Sequence, residues 1–131
     1  MAFVLDRFGK ETHALLRIVA GLLFLWHGTQ KIFGFPAPAP EAPALVIYVA
    51  GGIELVGGVL VMIGLYTKQA AFLCSGLMAV AYWTAHGTKG LFPLQYGGNG
   101  GELAALYCFV FLFLAAHGSG IWSVDGARSS A

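Results

Sequence analysis

Charge is scarce in this chain. Its 131 residues include only six acidic and seven basic side chains, 10% in all, where a soluble domain carries about 25%. So few charges cannot cover a water-facing surface, which excludes an ordinary soluble domain. The net charge of +1 and the lack of any basic stripe interleaved with aromatics leave no reason to invoke nucleic acid. Cysteine is nearly absent too. Cys74 and Cys108 form no CxxC and no metal spacing, so they read as small apolar helix residues. Counting helix rise from opposite faces separates them in depth by about 12 Å, beyond disulfide reach. No flavin, haem or iron–sulfur motif occurs, and no intrinsic cofactor is expected. His27, His86 and Glu102 are chemically sound ligands. No His-x3-His or His-x-x-Glu pattern accompanies them, and Lys31 would oppose a cation, so no metal centre is expected.

What fills the chain instead is apolar: 58% hydrophobic residues and a mean hydropathy of +0.77. Four apolar stretches of roughly membrane-crossing length run over about 13–33, 44–66, 70–86 and 102–117. They predict one all-α domain over residues 1–131, an integral membrane four-helix bundle. Between the first two stretches lies FPAPAPEAP, Phe35 to Pro43, whose prolines forbid helix and make a semi-rigid loop. Thr67, Lys68 and Gln69 read as a tight turn, Gly87 to Gly101 as a glycine-rich loop, and the tail beyond Trp122 as polar and frayed. The charged head, the first apolar run and Ala37-Pro38-Ala39 mimic a secretory leader. The run is long for one, however, and Trp26, His27, Gln30 and Lys31 sit where a plain apolar core should end, so retention is expected.

Lys and Arg set the orientation. With four crossings, the head, second loop and tail share a side and hold Arg7, Lys10, Lys68 and Arg128, with Arg17 one turn into the first helix. The other side holds Lys31 and Lys89. This excess puts both termini in the cytoplasm of a multi-pass inner-membrane protein.

Ionisable groups inside hydrocarbon are costly, and such groups face a bundle interior and mark sites. Helix rise gathers His27, Gln30, Lys31, Glu54, His86, Asn99 and Glu102 in the outer half, and Arg17, His117 and Asp125 at the cytoplasmic end. Glu54 is the only acid deep in an apolar stretch, so it must be paired or protonated. His27 and Lys31, four apart on one face, are the groups that can reach it. Around Glu54, GGIELVGG supplies Gly51, Gly52, Gly57 and Gly58, small residues that let helix backbones close in. Glu54 and His27 are the candidate catalytic pair, and Lys31, Gln30, His86, Asn99 and Glu102 the candidate ligand-binding set. Aromatics on the fourth helix, Tyr107 among them, face lipid or wall a flat ring.

The run from Arg17 to Gly34, GGIELVGGVLVMIGLYT with Glu54, the helix ending in His86, GGNGGELA with Glu102 and the closing GSGIWSVD with Asp125 together resemble the DoxX family of small four-helix membrane proteins. The resemblance covers nearly the whole chain. It implies a four-helix fold in the cytoplasmic membrane. Some relatives are described as subunits of thiosulfate:quinone oxidoreductase, and others are linked to membrane oxidoreductase complexes handling thiol and oxidative stress. The implied function is a redox-associated membrane subunit.

Three readings follow. In the first, an outer polar pocket binds a quinone or small anionic sulfur species, with His27 and Lys31 holding an oxygen, Glu54 relaying a proton, and His86 and Glu102 at the mouth. In the second, the chain is a non-catalytic scaffold in the lipid bilayer that docks a soluble oxidoreductase or assembles as a homo-oligomer. In the third, it is a small transporter or channel, which four short helices could form only as an oligomer.

Overall fold

The computed structural model describes residues 1–130, and among them every regular element is helical. A 3-10 turn, Asp6–Phe8, leads into α1, Gly9–Phe33. α2 spans Ala44–Ile63, α3 Thr67–Ala81, α4 Glu102–His117 and α5 Val124–Ser130. A π-turn over Tyr82–His86 extends α3, and a second 3-10 turn, Gly87–Lys89, lies ahead of α4.

Each of the four longer helices buries a narrow stripe. On α1 it is Ala14, Arg17, Ala20, Gly21, Phe24 and Gly28; on α2 Gly51, Glu54, Gly57, Gly58 and Val61. On α3 it includes Ala71, Cys74, Ser75 and Met78, and on α4 Tyr107, Phe111 and Leu114. Spacings of three and four keep each set on one helical face. Two of the stripes contain a charged residue, which a soluble core would rarely accept.

α1 and α2 form one hairpin, α3 and α4 another. The first is zipped by glycines. A Cβ on Gly21 would fall 2.6 Å from the Met62 nitrogen, and one on Gly58 would fall 2.8 Å from that of Leu25. Gly28 meets the Leu55 nitrogen more closely still, and Gly51 lies against Lys31 and Ile32. The partners are seven apart on each helix, so two turns of backbone lie nearly in contact. Gly57 points instead at Cys74 of α3, and Gly52 at open space. Between the hairpins the seam is aromatic: Phe24 packs on Phe111 with centroids 4.7 Å apart, and Tyr107 stacks on Phe111 at 5.7 Å and 12°.

Helix ends follow glycine where the chain must reverse. Gly34 (φ 64°) and Gly64 (φ 74°) close α1 and α2 in the left-handed region, and the Gly64 and Leu65 amides return to the Leu60 carbonyl. The Gly64 turn corrects two expectations. α2 stops at Ile63, and Thr67, Lys68 and Gln69 form the first turn of α3. The cap of α3 is not local: the Asp125 carboxylate accepts from the Tyr66 and Thr67 amides, each at 2.9 Å. The tail is corrected as well. It forms α5, whose start Ser123 caps by accepting the Gly126 amide at 3.0 Å, and the Asp125 amide donates to Gly64 at 2.8 Å.

By length and composition α2 is long and apolar enough to cross a membrane, with a mean hydropathy of 2.2, while α4 is apolar but shorter. The outward faces of the helices carry large apolar side chains in the open, among them Leu23, Trp26, Val49, Val56, Phe72, Leu73, Val80, Leu106 and Phe109.

Candidate functional site

The hairpins diverge where α1 ends and α2 begins, and a cavity of about 450 Å³ opens between them. That volume lies in the range of small-molecule sites. Its polar groups come from three helices and two loops: His27 and Lys31 on α1, Glu54 on α2, Thr84 and His86 in the π-turn, Glu41 from the proline-rich strap and Gln95 from the loop before α4. Its apolar walls are Phe24, Leu77, Met78, Leu103, Ala104 and Tyr107.

At its centre Lys31 Nζ donates to both oxygens of Glu54, at 3.0 and 2.8 Å. The glutamate side chain is 4% exposed and the lysine 16%. The pairing follows from the hairpin: Gly28 and Gly51 let α1 and α2 approach until a lysine one turn beyond Gly28 reaches an acid one turn beyond Gly51. Of the two basic groups able to reach Glu54, Lys31 makes the contact. His27, half-buried, instead meets Tyr107 edge to face, with centroids 6.0 Å apart. His86 Nδ1 lies 3.1 Å from the Asn99 carbonyl. A carbonyl only accepts, so Nδ1 donates to it.

Three residues expected to bind ligand do not line the cavity. Gln30 turns outward and donates to the Pro38 carbonyl at 3.0 Å, tying the strap down. Asn99 is buried as the organiser of its own loop, donating to the Tyr82 hydroxyl and the Gly90 carbonyl and accepting the Gly101 amide at 2.8 Å. Glu102 accepts the Gln95 amide at 3.0 Å. In each case an unsatisfied backbone group nearby takes the side chain that depth alone assigned to the site. Glu41 was missed. The signal was there: a nine-residue extended segment must bridge the ends of two packed helices, so it crosses the space between them.

At the opposite end Arg17 is fully buried. Its Nε donates to the Val61 carbonyl at 3.1 Å, and its terminal nitrogens donate to the carbonyls of Ser119, Ile121 (2.9 Å) and Trp122 (2.5 Å). Arg17 and Asp125 thus both hold the tail, one by its carbonyls and the other by spanning to α3. His117 does not join them. It stacks on Phe113 of its own helix and lies 3.0 Å from the Phe113 carbonyl. His13 takes that place instead, 3.1 Å from the Gly118 carbonyl. The titration of Asp125, outside the long helices, is displaced. Burial raises its pKa, but the Thr67 and Tyr66 amides and nearby Arg128 outweigh burial and hold it below the usual aspartate value.

Both cysteines are free thiols. The depth argument that separated them fails, because Ser75 donates to the Cys108 carbonyl at 2.7 Å, placing Cys108 level with the neighbour of Cys74. Their directions keep them apart. Cys74 Sγ faces Gly57 on α2, while Cys108 Sγ lies 3.5 Å from the Ser75 hydroxyl.

The sequence profile of the DoxX family matches residues 12–87. An uncharacterized protein of Haemophilus influenzae is 41% identical over 128 residues, covering 92% of this chain and 93% of that protein. A Bacillus subtilis protein, CatD, designated a candidate oxidoreductase, is 39% identical over 64 residues, covering 45% of this chain and 48% of its own. No solved structure matches the chain.

Proposed function

The chain belongs to the DoxX family, and on that premise we propose that it is a multi-pass subunit of the inner membrane serving redox chemistry. α1 to α4 form a four-helix membrane bundle, α5 lies at the cytoplasmic face, and the cavity receives a quinone or a small sulfur anion. The CatD likeness supports the redox association. The apolar side chains exposed along all four long helices support the membrane setting, since a soluble monomer rarely leaves so much apolar surface uncovered.

One observation carries the ligand reading: a buried ion pair, Lys31 with Glu54, opens onto a cavity of about 450 Å³ between two imidazoles. Intramembrane charge at a cavity marks function more often than packing. Lys31 and His27 hold a ligand oxygen, Glu54 relays a proton, and His86 lines the mouth. The chain carries no cofactor motif, so electrons come from a diffusible quinone or a soluble oxidoreductase partner. Titration of the purified protein with a short-chain quinone analogue and with thiosulfate tests this. Saturable binding of one of them, weakened by Glu54→Gln and His27→Ala, is expected. Binding of neither, or binding indifferent to both substitutions, removes the reading.

A second reading, a scaffold that docks a soluble oxidoreductase, draws on the loop after the π-turn, where Leu91, Phe92, Leu94 and Tyr96 stand exposed. Co-purification of an oxidoreductase after mild solubilisation, abolished by polar replacements at Phe92 and Leu94, favours it.

A further inference from the structure

Among the described residues Lys31 is the one lysine or arginine lining the cavity, and two carboxylates, Glu54 and Glu41, line it with Lys31. Glu54 takes two of the three ammonium protons of Lys31, one on each oxygen. That pair is internally neutral. Glu41 adds a second carboxylate at the mouth, on an exposed stretch of strap, and has no ion-pair partner among the described residues. The strap does not swing freely, because the Gln30 amide holds it at Pro38. Among its lysine and carboxylate side chains, the cavity lining therefore carries one acid more than it has lysines to pair.

We infer that the cavity selects an uncharged, carbonyl-bearing ligand and rejects small anions, and that Glu41 sets this selection. The inference rests on the cavity being a ligand site and decides between the two ligand classes proposed for it. An uncharged carbonyl accepts the third proton of Lys31 and leaves the ion pair whole. Its ring lies against Leu77, Met78, Leu103 and Tyr107. An anion has no such place. To gain the lysine charge it must draw Lys31 away from Glu54, leaving a carboxylate that is 4% exposed without its partner. If it leaves the pair intact, it meets a neutral centre and the field of Glu41.

The test is a titration of the solubilised full chain at low ionic strength, where surface charge is least screened. Two probes are used, an uncharged short-chain benzoquinone analogue and thiosulfate, against wild type, Glu41→Gln and Glu41→Lys. The strap position is exposed, so both variants fold. The benzoquinone is expected to bind all three proteins within about threefold. Thiosulfate is expected to bind wild type undetectably, to gain in Glu41→Gln and to gain at least about tenfold more in Glu41→Lys. Thiosulfate that binds wild type as tightly as Glu41→Lys overturns the inference and leaves the cavity standing as a ligand site. Rejection of thiosulfate undiminished in Glu41→Lys overturns the part given to Glu41. Saturable binding of neither probe to any of the three overturns this inference together with the reading it rests on.

Discussion

Gly28 of α1 abuts the peptide unit joining Glu54 to Leu55 on α2, so closely that a methyl group would overlap backbone atoms. The contact holds the two halves of the ion pair at bonding distance: Lys31 lies one turn past Gly28, and Glu54 is the acid it reaches. Gly28→Ala must therefore part the helices at the site. Overpacking of this kind costs about 1–3 kcal/mol. A fall in melting temperature in detergent is expected, with weaker ligand binding. Gly52→Ala is the control, since open space surrounds that position. It should raise stability slightly, by about 0.5 kcal/mol, through helix propensity. Equal effects at the two sites would show that helix approach is not what Gly28 secures.

Arg17 fastens the C-terminal segment. It is fully buried with hydrogen bonds to four carbonyls, three of them between Ser119 and Trp122. A lysine cannot reproduce the planar fork. Arg17→Lys and Arg17→Met should both release the tail, at a cost of about 1–3 kcal/mol for the part-buried carbonyls left unpaired. Limited proteolysis reads this directly, as early cleavage after residue 118 while the helical core persists. A tail equally protected in both variants would mean that α5 docks by other contacts.

Asp125 makes that docking depend on pH. Its carboxyl titrates below the ordinary aspartate value because protonation would weaken the bonds from Tyr66 and Thr67. A group with a depressed folded pKa contributes stability that is fully present above its unfolded value, about 3.9, and lost as pH falls through the folded value. Tail protection should thus be constant from neutrality to about pH 4 and decline below it. Asp125→Asn should lower protection at neutral pH and flatten the decline. An unchanged profile in Asp125→Asn would assign the acid sensitivity to another carboxylate.

Orientation is open to a labelling experiment. The excess of Lys and Arg over head, second loop and tail predicts both termini in the cytoplasm and the strap outside. In a variant without Cys74 and Cys108, a membrane-impermeant maleimide applied to spheroplasts should label Tyr96→Cys, which is 90% exposed, and spare Ser129→Cys. The reverse pattern inverts the topology, and labelling of both argues against four crossings.

Positions fixed by helix rise and helical face were legible in the sequence; contacts made by loop and tail backbone were not. That Glu54 meets His27 or Lys31 could be read, because helix rise sets the depth of all three and the two basic groups share a face four residues apart; which of them makes the contact could not. The glycines around Glu54 could be read as close helix packing, because small residues let backbones approach. The cap of α3 could not, because its acceptor is 58 residues away at Asp125. Gln30, Asn99 and Glu102 were assigned to the cavity by depth, yet each bonds a loop amide or carbonyl whose position no periodicity reveals. The cysteines show the same limit. Depth separated them, while the packing of α3 on α4 brings their residues level and side-chain direction parts them.

The ion pair itself can be tested as a packing staple against a working site. Removing one partner of a buried pair leaves a lone charge and costs about 3–5 kcal/mol, whereas replacing both by apolar side chains of similar volume is often neutral or stabilising. Lys31→Met and Glu54→Leu should each destabilise strongly, and the double variant should recover most of the loss, the coupling expected of a contacting pair. Ligand binding must not follow stability in that cycle. If Lys31 supplies a hydrogen bond to the ligand, the double variant folds and stays empty. A double variant that regains both stability and affinity would make the pair a strut, and the cavity beside it would owe its ligand to His27, His86 and the apolar wall.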